Sequence, residues 1–253
     1  TAIEYILENP SLYQNYSYKC EGSDSFEGNI INCYNNEKHG ELNLSNSLAK
    51  SCNASFANIG LSLDINSFNK LCGKFMFNKK LPVKFEYNRS KFLLNKKSGT
   101  AELMQTVIGQ GKTTITPLQN AMIAATIANG GEMMVPYVTD HTENEAGQVV
   151  KSYKPVSNGK IISEEVAGII GKFMQAVVEK GTGSSLNGFS YHVAGKTGSA
   201  EFDSEGTSHA WFIGYAPAKK PKIAVSIVVE GAGTGSQYAV PVAKEMFRRY
   251  LGN

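Results

Sequence analysis

The feature that most restricts this chain is a change of period near Gly183. Before it, apolar residues recur at helical spacing. After it, they come in β-branched and aromatic runs. Val166, Ile169, Ile170, Phe173 and Val177 line one face of a helix predicted over 164–179, with Ser163 as its cap. Another helix is predicted over 118–129, where Thr116 is the N-cap, Pro117 takes the first helical position and Gly130-Gly131 supplies the stop. Its near-continuous Ala, Met and Ile content predicts burial on most sides. Beyond Gly183, His192 to Ala194 lead into Lys196-Thr197-Gly198. The runs 209–215 and 222–229 read as strands separated by the turn from Pro217 to Pro221. A last helix begins near Pro241, with Val242, Met246, Phe247 and Tyr250 on one face. Helices, then an antiparallel set of strands, then a closing helix make an α+β domain.

The earlier part of the chain is more broken. Residues 44–74 read as short helical pieces interrupted near Asn53 and Gly60, with Leu48, Phe56, Ile59, Leu63, Phe68 and Leu71 supplying buried faces. Residues 11–40 are polar and turn-rich, with a short strand-like piece at Asn29-Ile30-Ile31. Thr1 to Glu8 read as the tail of a helix already under way, stopped by Asn9-Pro10. With 42% hydrophobic and 19% charged residues the chain has material for a sizeable core.

Several function classes are disfavoured. Net charge is only +3. The densest basic stretch, 79–97, is interleaved with Phe85, Tyr87, Phe92 and Leu93 and reads as a solvated hairpin or helix surface rather than a nucleic-acid site. No run of about 18 apolar residues is present to span a membrane. No pair among Cys20, Cys33, Cys52 and Cys72 has zinc-ligand spacing, which argues against a metal site. Cys20 and Cys33 flank a polar, glycine-containing stretch and suit a disulfide or free thiols about equally.

Three local features carry chemistry. Ser51-Cys52-Asn53 places a hydroxyl and an amide two positions apart at a helix break. Gly195-Lys196-Thr197-Gly198-Ser199 places a lysine and two hydroxyls on a strand between glycines. The aromatic strand His209-Ala210-Trp211-Phe212 follows shortly after. Each alone is weak, since Ser-x-Asn is commonly a helix cap and Lys-Thr-Gly a strand-to-turn junction. Together they resemble the penicillin-recognising serine acyl-transferases, whose motifs are Ser-x-x-Lys, Ser-x-Asn and Lys-Thr-Gly. Ile108-Gly109-Gln110-Gly111, Thr116-Pro117-Leu118-Gln119, Ile127 to Gly131 and His209 to Pro217 resemble segments of the class B penicillin-binding proteins, and the similarity runs over almost the whole chain.

The resemblance implies a β-lactamase/transpeptidase-like α+β fold, an antiparallel sheet flanked by helices with a mostly helical lobe. It also implies a D,D-transpeptidase that crosslinks peptidoglycan stem peptides ending in D-Ala-D-Ala through an acyl-serine and is acylated by β-lactams. Such chemistry needs a nucleophile, a base, a proton path to the leaving amine and an oxyanion hole. Ser51 is expected on the proton path, Asn53 on the substrate's peptide, and Lys196 as positive charge near both Ser51 and the substrate carboxylate. Thr197 and Ser199 share a strand face and are expected to hold that carboxylate. Gly198 lets the substrate backbone approach, and the backbone N–H of Ser199 is one oxyanion donor. No cofactor, metal or nucleic acid is implied. The implied location is extracytoplasmic, with a membrane anchor on the parent protein and a membrane glycosyltransferase as partner.

The first motif is the departure. Ser47-Leu48-Ala49-Lys50 has the letters of Ser-x-x-Lys. It ends immediately before Ser51, so Ser47 cannot face Ser51 across a cleft, and it reads as an exposed position on a small helix. Residues 1–253 are therefore expected to be an incomplete transpeptidase domain. The nucleophilic serine should lie upstream of Thr1, the first sheet strands should be missing, and the chain alone should be inactive and depend on its N-terminal part to fold. A β-lactamase of the same fold, or a β-lactam sensor, is the alternative. No group that activates water for deacylation is evident between Ser51 and Lys196.

Overall fold

The computed structural model describes residues 1–202 and 207–252, and its architecture is α+β. The chain opens with α1 (Ala2–Glu8), followed by β1 (Tyr18–Cys20), β2 (Ser23–Phe26), β3 (Asn29–Asn32) and β4 (Gly40–Leu42). β2 pairs with β3 inside an outer β1–β4 pair, both antiparallel. Then come α2 (Leu44–Ala49), α3 (Asn53–Leu61), α4 (Ile65–Lys74), α5 (Thr100–Val107) and α6 (Pro117–Ala128). Four short strands follow: β5 (Glu132–Met134), β6 (His141–Glu143), β7 (Val149–Ser152) and β8 (Ser157–Lys160). The long helix α7 (Glu164–Lys180) leads to β9 (Ala194–Glu201), β10 (Ser208–Ala216) and β11 (Ile223–Val229), and α8 (Val240–Leu251) closes the chain.

The predicted helix starts hold. Thr116 Oγ1 accepts the Gln119 N–H at 3.2 Å and Ser163 Oγ accepts the Val166 N–H at 3.2 Å, so α6 and α7 begin on side-chain caps. Each such cap typically contributes about 1 kcal/mol. The helix breaks in 44–74 fall at 50–52, just before Asn53, and at 62–64, just after Gly60. Asn53 opens α3, and Gly60 lies inside it. A Cβ on Gly60 would sit 2.6 Å from the Val107 side chain, so this glycine serves the close approach of α5 rather than a break. The basic 79–97 stretch is neither hairpin nor helix. Its backbone is irregular, and it is tied to the rest by a β-bridge from Lys91 to Thr114, by side-chain bonds such as Asn69 Nδ2 to the Leu94 carbonyl at 2.8 Å, and by the buried Phe92 and Leu94. No helix among the described residues is long and apolar enough to cross a membrane.

The organising element is the antiparallel sheet β11-β10-β9. Side chains alternate across a strand, and this sheet uses both faces. On one face Ala210, Phe212, Ala216, Val225 and Ile227 pack with Val240, Ala243 and Phe247 of α8, the Phe212 and Phe247 rings meeting edge-on at 6.5 Å. On the other, Ala194 and Tyr215 join a core built with Met122 and Ile127 of α6 and Ile170 and Met174 of α7. Burial of each large apolar side chain here stabilises the fold by about 1.5–3 kcal/mol. The result is a rigid β9, the strand that carries Lys196.

Candidate active site

The turn between α2 and α3 brings Ser51 to the sheet. The Cys52 N–H bonds to the Ser47 carbonyl at 3.0 Å and the Ser51 N–H to the Leu48 carbonyl at 3.2 Å. This is a Schellman ending, in which the residue after the cap is left-handed and is commonly glycine. Here it is Ser51, with φ +54°. A non-glycine residue there costs about 1–2 kcal/mol. What glycine would lack is the hydroxyl, and the hydroxyl is in use.

Lys196 Nζ donates to Ser51 Oγ at 2.9 Å, across 145 positions of sequence, and also to the Thr197 carbonyl at 2.8 Å. Burial pushes the lysine down to about 8, since the cation is costly away from water. No carboxylate forms an ion pair with it among the described residues. With Ser51 Oγ accepting from the ammonium, the serine's own proton is free to point to another acceptor. The pair is a cation coupled to a hydroxyl relay.

A steric seam sets that distance. The Thr182 N–H bonds to the Ala49 carbonyl at 3.2 Å, and a Cβ on Gly181 would stand only 2.1 Å from the same oxygen. The ends of α2 and α7 thus meet backbone to backbone, one residue before the Lys50-Ser51 turn.

The other expected residues are placed as follows. Thr197 is buried, and its Oγ1 shares a 2.5 Å hydrogen bond with Thr182 Oγ1. Ser199 Oγ accepts the Gly235 N–H at 3.2 Å, while the Ser199 carbonyl accepts from Gln110 Nε2 at 3.0 Å. In an antiparallel strand the N–H and C=O of one residue point the same way, so the Ser199 N–H lies on the edge of β9 away from β10. Gly198 sits in a tight seam: a Cβ on Gly235 would fall 2.5 Å from the Gly198 carbonyl oxygen. Asn53 Nδ2 donates to the Asn32 carbonyl at 2.9 Å, tying the motif to the β2–β3 hairpin. Ser51 and Lys196 therefore meet directly, whereas Asn53, Thr197 and Ser199 are each held by a different neighbour.

One expectation needs correction, and one alternative left open by the sequence is decided. Ser47 is fully buried, not exposed: its Oγ donates to the Asn43 carbonyl at 2.9 Å and accepts from Ser55 Oγ at 2.7 Å, because α2 packs that face inward. The cysteines are free thiols, with Cys20 and Cys33 sulfurs 3.7 Å apart rather than bonded. Cys33 also meets Cys52, the middle residue of the Ser51 motif, at 3.6 Å. A hydrogen bond from Cys52 holds the Cys33 thiol below its ordinary value, and the same bond pushes Cys52 upward.

Thr182 and Gln110 were not singled out for roles, although Thr182 stands between two glycines directly after a helix and Gln110 between two glycines after α5. That flanking is the available signal: a polar side chain held where backbone must pass close.

A family model described as the penicillin binding protein transpeptidase domain matches residues 6–251. This chain belongs to that family. Among curated relatives, the peptidoglycan D,D-transpeptidase PbpA of Mycolicibacterium smegmatis is 30% identical over 218 residues, covering 80% of this chain and 43% of that protein. Stage V sporulation protein D of Bacillus subtilis is 28% identical over 242 residues, covering 91% of this chain and 37% of that one. The chain thus spans less than half the length of either. Penicillin-binding protein A of M. tuberculosis, solved as a ceftriaxone acyl-enzyme, superposes with a TM-score of 0.89 at 25% identity, over 99% of this chain and 58% of its own. The D,D-transpeptidase domain of a peptidoglycan glycosyltransferase from Eggerthella lenta gives 0.83 at 26%, over 99% and 64%.

Proposed function

We propose that this chain is the recognising half of a peptidoglycan D,D-transpeptidase site, with the nucleophilic serine supplied by a Ser-x-x-Lys turn preceding Thr1 in the parent protein. The observation that carries the reading is the 2.9 Å contact between Lys196 Nζ and Ser51 Oγ, which joins two motifs from opposite parts of the chain. The donor stem peptide lies along the free edge of β9. Its terminal carboxylate is drawn by Lys196 and the hydroxyls of Thr197 and Ser199. Its scissile carbonyl oxygen is met by the outward N–H of Ser199 and by the nucleophile's own N–H. The nucleophile forms an ester as the C–N bond breaks, and the departing D-Ala nitrogen takes its proton through Ser51 Oγ, which Lys196 orients. A second stem-peptide amine then attacks the ester, forming the crosslink and returning the proton to the serine. β-Lactams stop at the acyl-serine.

An apolar hollow supports an N-terminal partner segment. Leu118, Ala121, Met122, Ala125, Met134 and Pro136 line it with Ala224, on the strand β11 whose other edge has no ladder partner among the described residues. Further sheet strands of the parent cover this edge, which alone would invite aggregation. The chain by itself is inactive, and the parent works outside the cytoplasmic membrane, anchored through its N-terminus beside a glycosyltransferase that supplies the glycan.

A fluorescent penicillin tests the reading on the full-length parent. A long-lived adduct, together with crosslinking of pentapeptide-bearing glycan, is expected. Fast release would make the protein a β-lactamase, an adduct without crosslinking a sensor, and no adduct would overturn the acyl-transfer reading altogether.

A further inference from the structure

Cys20, Cys33, His39 and Cys52 converge from β1, the loops after β3 and the turn before α3, with one ligand atom from each lying within 4.8 Å of the others. The cysteines are buried, and the His39 side chain is 4% exposed. Three of the six distances between these atoms match the edges of a coordination tetrahedron, and the other three lie within 4.8 Å. With Zn–S near 2.3 Å and Zn–N near 2.05 Å, tetrahedral edges are about 3.8 Å between sulfurs and about 3.6 Å between sulfur and nitrogen. The cluster shows 3.7 Å for Cys20 to Cys33, 3.6 Å for Cys33 to Cys52 and 3.4 Å from Cys20 Sγ to His39 Nδ1.

The surroundings suit thiolates. The Ser55 N–H donates to Cys52 Sγ at 3.4 Å, the start of α3 pointing at the sulfur. His39 uses Nδ1 toward the cluster, and its Nε2 is 3.8 Å from the Glu37 carboxylate, the kind of outer partner that fixes an imidazole's orientation. Sequence spacing hid this arrangement. Cys20, Cys33, His39 and Cys52 come 13, 6 and 13 positions apart (33 − 20, 39 − 33, 52 − 39), so no two sit in the short pairs by which such sites are commonly read.

We infer that Cys20, Cys33, His39 and Cys52 form a structural Zn²⁺ site that clamps the Ser51-Cys52-Asn53 turn to the β1–β4 hairpins. Three soft thiolates and an imidazole in a closed tetrahedron select zinc over hard cations, and no position remains for water or substrate. Binding releases thiol protons to solvent and involves no redox change. Cys52 lies between the residue that meets Lys196 and the residue bonded to Asn32. The metal therefore fixes both ends of the motif through one backbone unit. This positioning role rests on the transpeptidase reading; metal binding itself does not.

The test uses full-length parent protein, purified with zinc and without chelator. One tightly held zinc per chain is expected, and cobalt exchange should produce intense thiolate-to-metal charge-transfer absorption. Cys33→Ala and His39→Ala should weaken zinc binding by more than about 100-fold, while Cys72→Ala leaves it unchanged. Removing the metal should slow acylation by fluorescent penicillin, and adding it back should restore the rate. A zinc-free protein, a Cys20–Cys33 disulfide two hydrogens lighter by mass, or a cobalt form without thiolate bands would overturn the site. Stoichiometric zinc whose removal leaves the acylation rate unchanged would overturn the positioning role alone. Failure of the transpeptidase reading would instead appear as an absent adduct in zinc-loaded protein.

Discussion

The two sides of the Ser51–Lys196 contact are built by opposite means. Lys196 is placed by a sheet packed on both faces, where Phe212 and Phe247 are fully buried and α7 backs the other surface. Ser51 is placed by a turn, a backbone seam at Gly181, and hairpins whose small buried cluster combines Cys20, Cys33 and Cys52 with Ile31 and Leu42. The first side owes its position to apolar area and tolerates changes in solution conditions. The second owes it to a few specific contacts, each of which can be lost singly. A site assembled this way has one firm wall and one adjustable wall.

The contrast can be broken or sharpened in several ways. The largest effect should come from Phe212→Ala, which opens a cavity in the firm wall and should cost about 3–5 kcal/mol in urea unfolding, against about 2 kcal/mol for Ile31→Ala in the hairpins. Equal losses would mean the two walls are not built differently. Next, Lys196→Ala in the parent protein should slow penicillin acylation by about 100–1,000-fold, as for loss of a charge-stabilising donor, with a melting temperature that does not fall. A lowered melting temperature would make the lysine structural.

A smaller effect follows from pH. Lys196 is cationic below about 8, so binding of carboxylate-bearing β-lactams should weaken as pH rises through that value, approaching about tenfold per unit, and Lys196→Arg should abolish the limb. The stability sign is opposite. Between about 8 and the ordinary 10.5 the unfolded chain binds more protons than the folded one, so stability rises with pH across that window. Acid–base titration of unfolding at high pH checks it. The smallest effect is on stability in Ser51→Gly. Relief of the left-handed strain offsets the partner that Lys196 loses, so unfolding free energy should change by less than about 1 kcal/mol while acylation is lost. A large destabilisation would show that the hydroxyl, rather than the turn, holds this wall in place.

What could be read in advance divides along the same line. α6, α7 and the three strands announce themselves because each is a local pattern: a cap, a period, a glycine stop. Ser51 and Lys196 were legible through their short motifs, and the structure brings them together. The irregular 79–97 segment was not legible, because its alternation of lysines and aromatics fits several local structures and its contacts lie elsewhere in the chain. Thr182 as the partner of Thr197, the burial of Ser47 and the convergence of His39 on the cysteines depend on distances between remote segments. No window of neighbouring residues contains them.

The seam at Gly181 has a consequence for variation in this protein. The backbone there is extended enough for any amino acid, with φ −124° and ψ −154°, and position 181 carries no functional group. Even so, a single added methyl would collide with the Ala49 carbonyl and shift the turn that follows. On the transpeptidase reading proposed above, a substitution as mild as alanine should slow β-lactam acylation of the parent protein from a position outside the Ser51–Lys196 contact. A resistance survey confined to residues lining the cleft would overlook it.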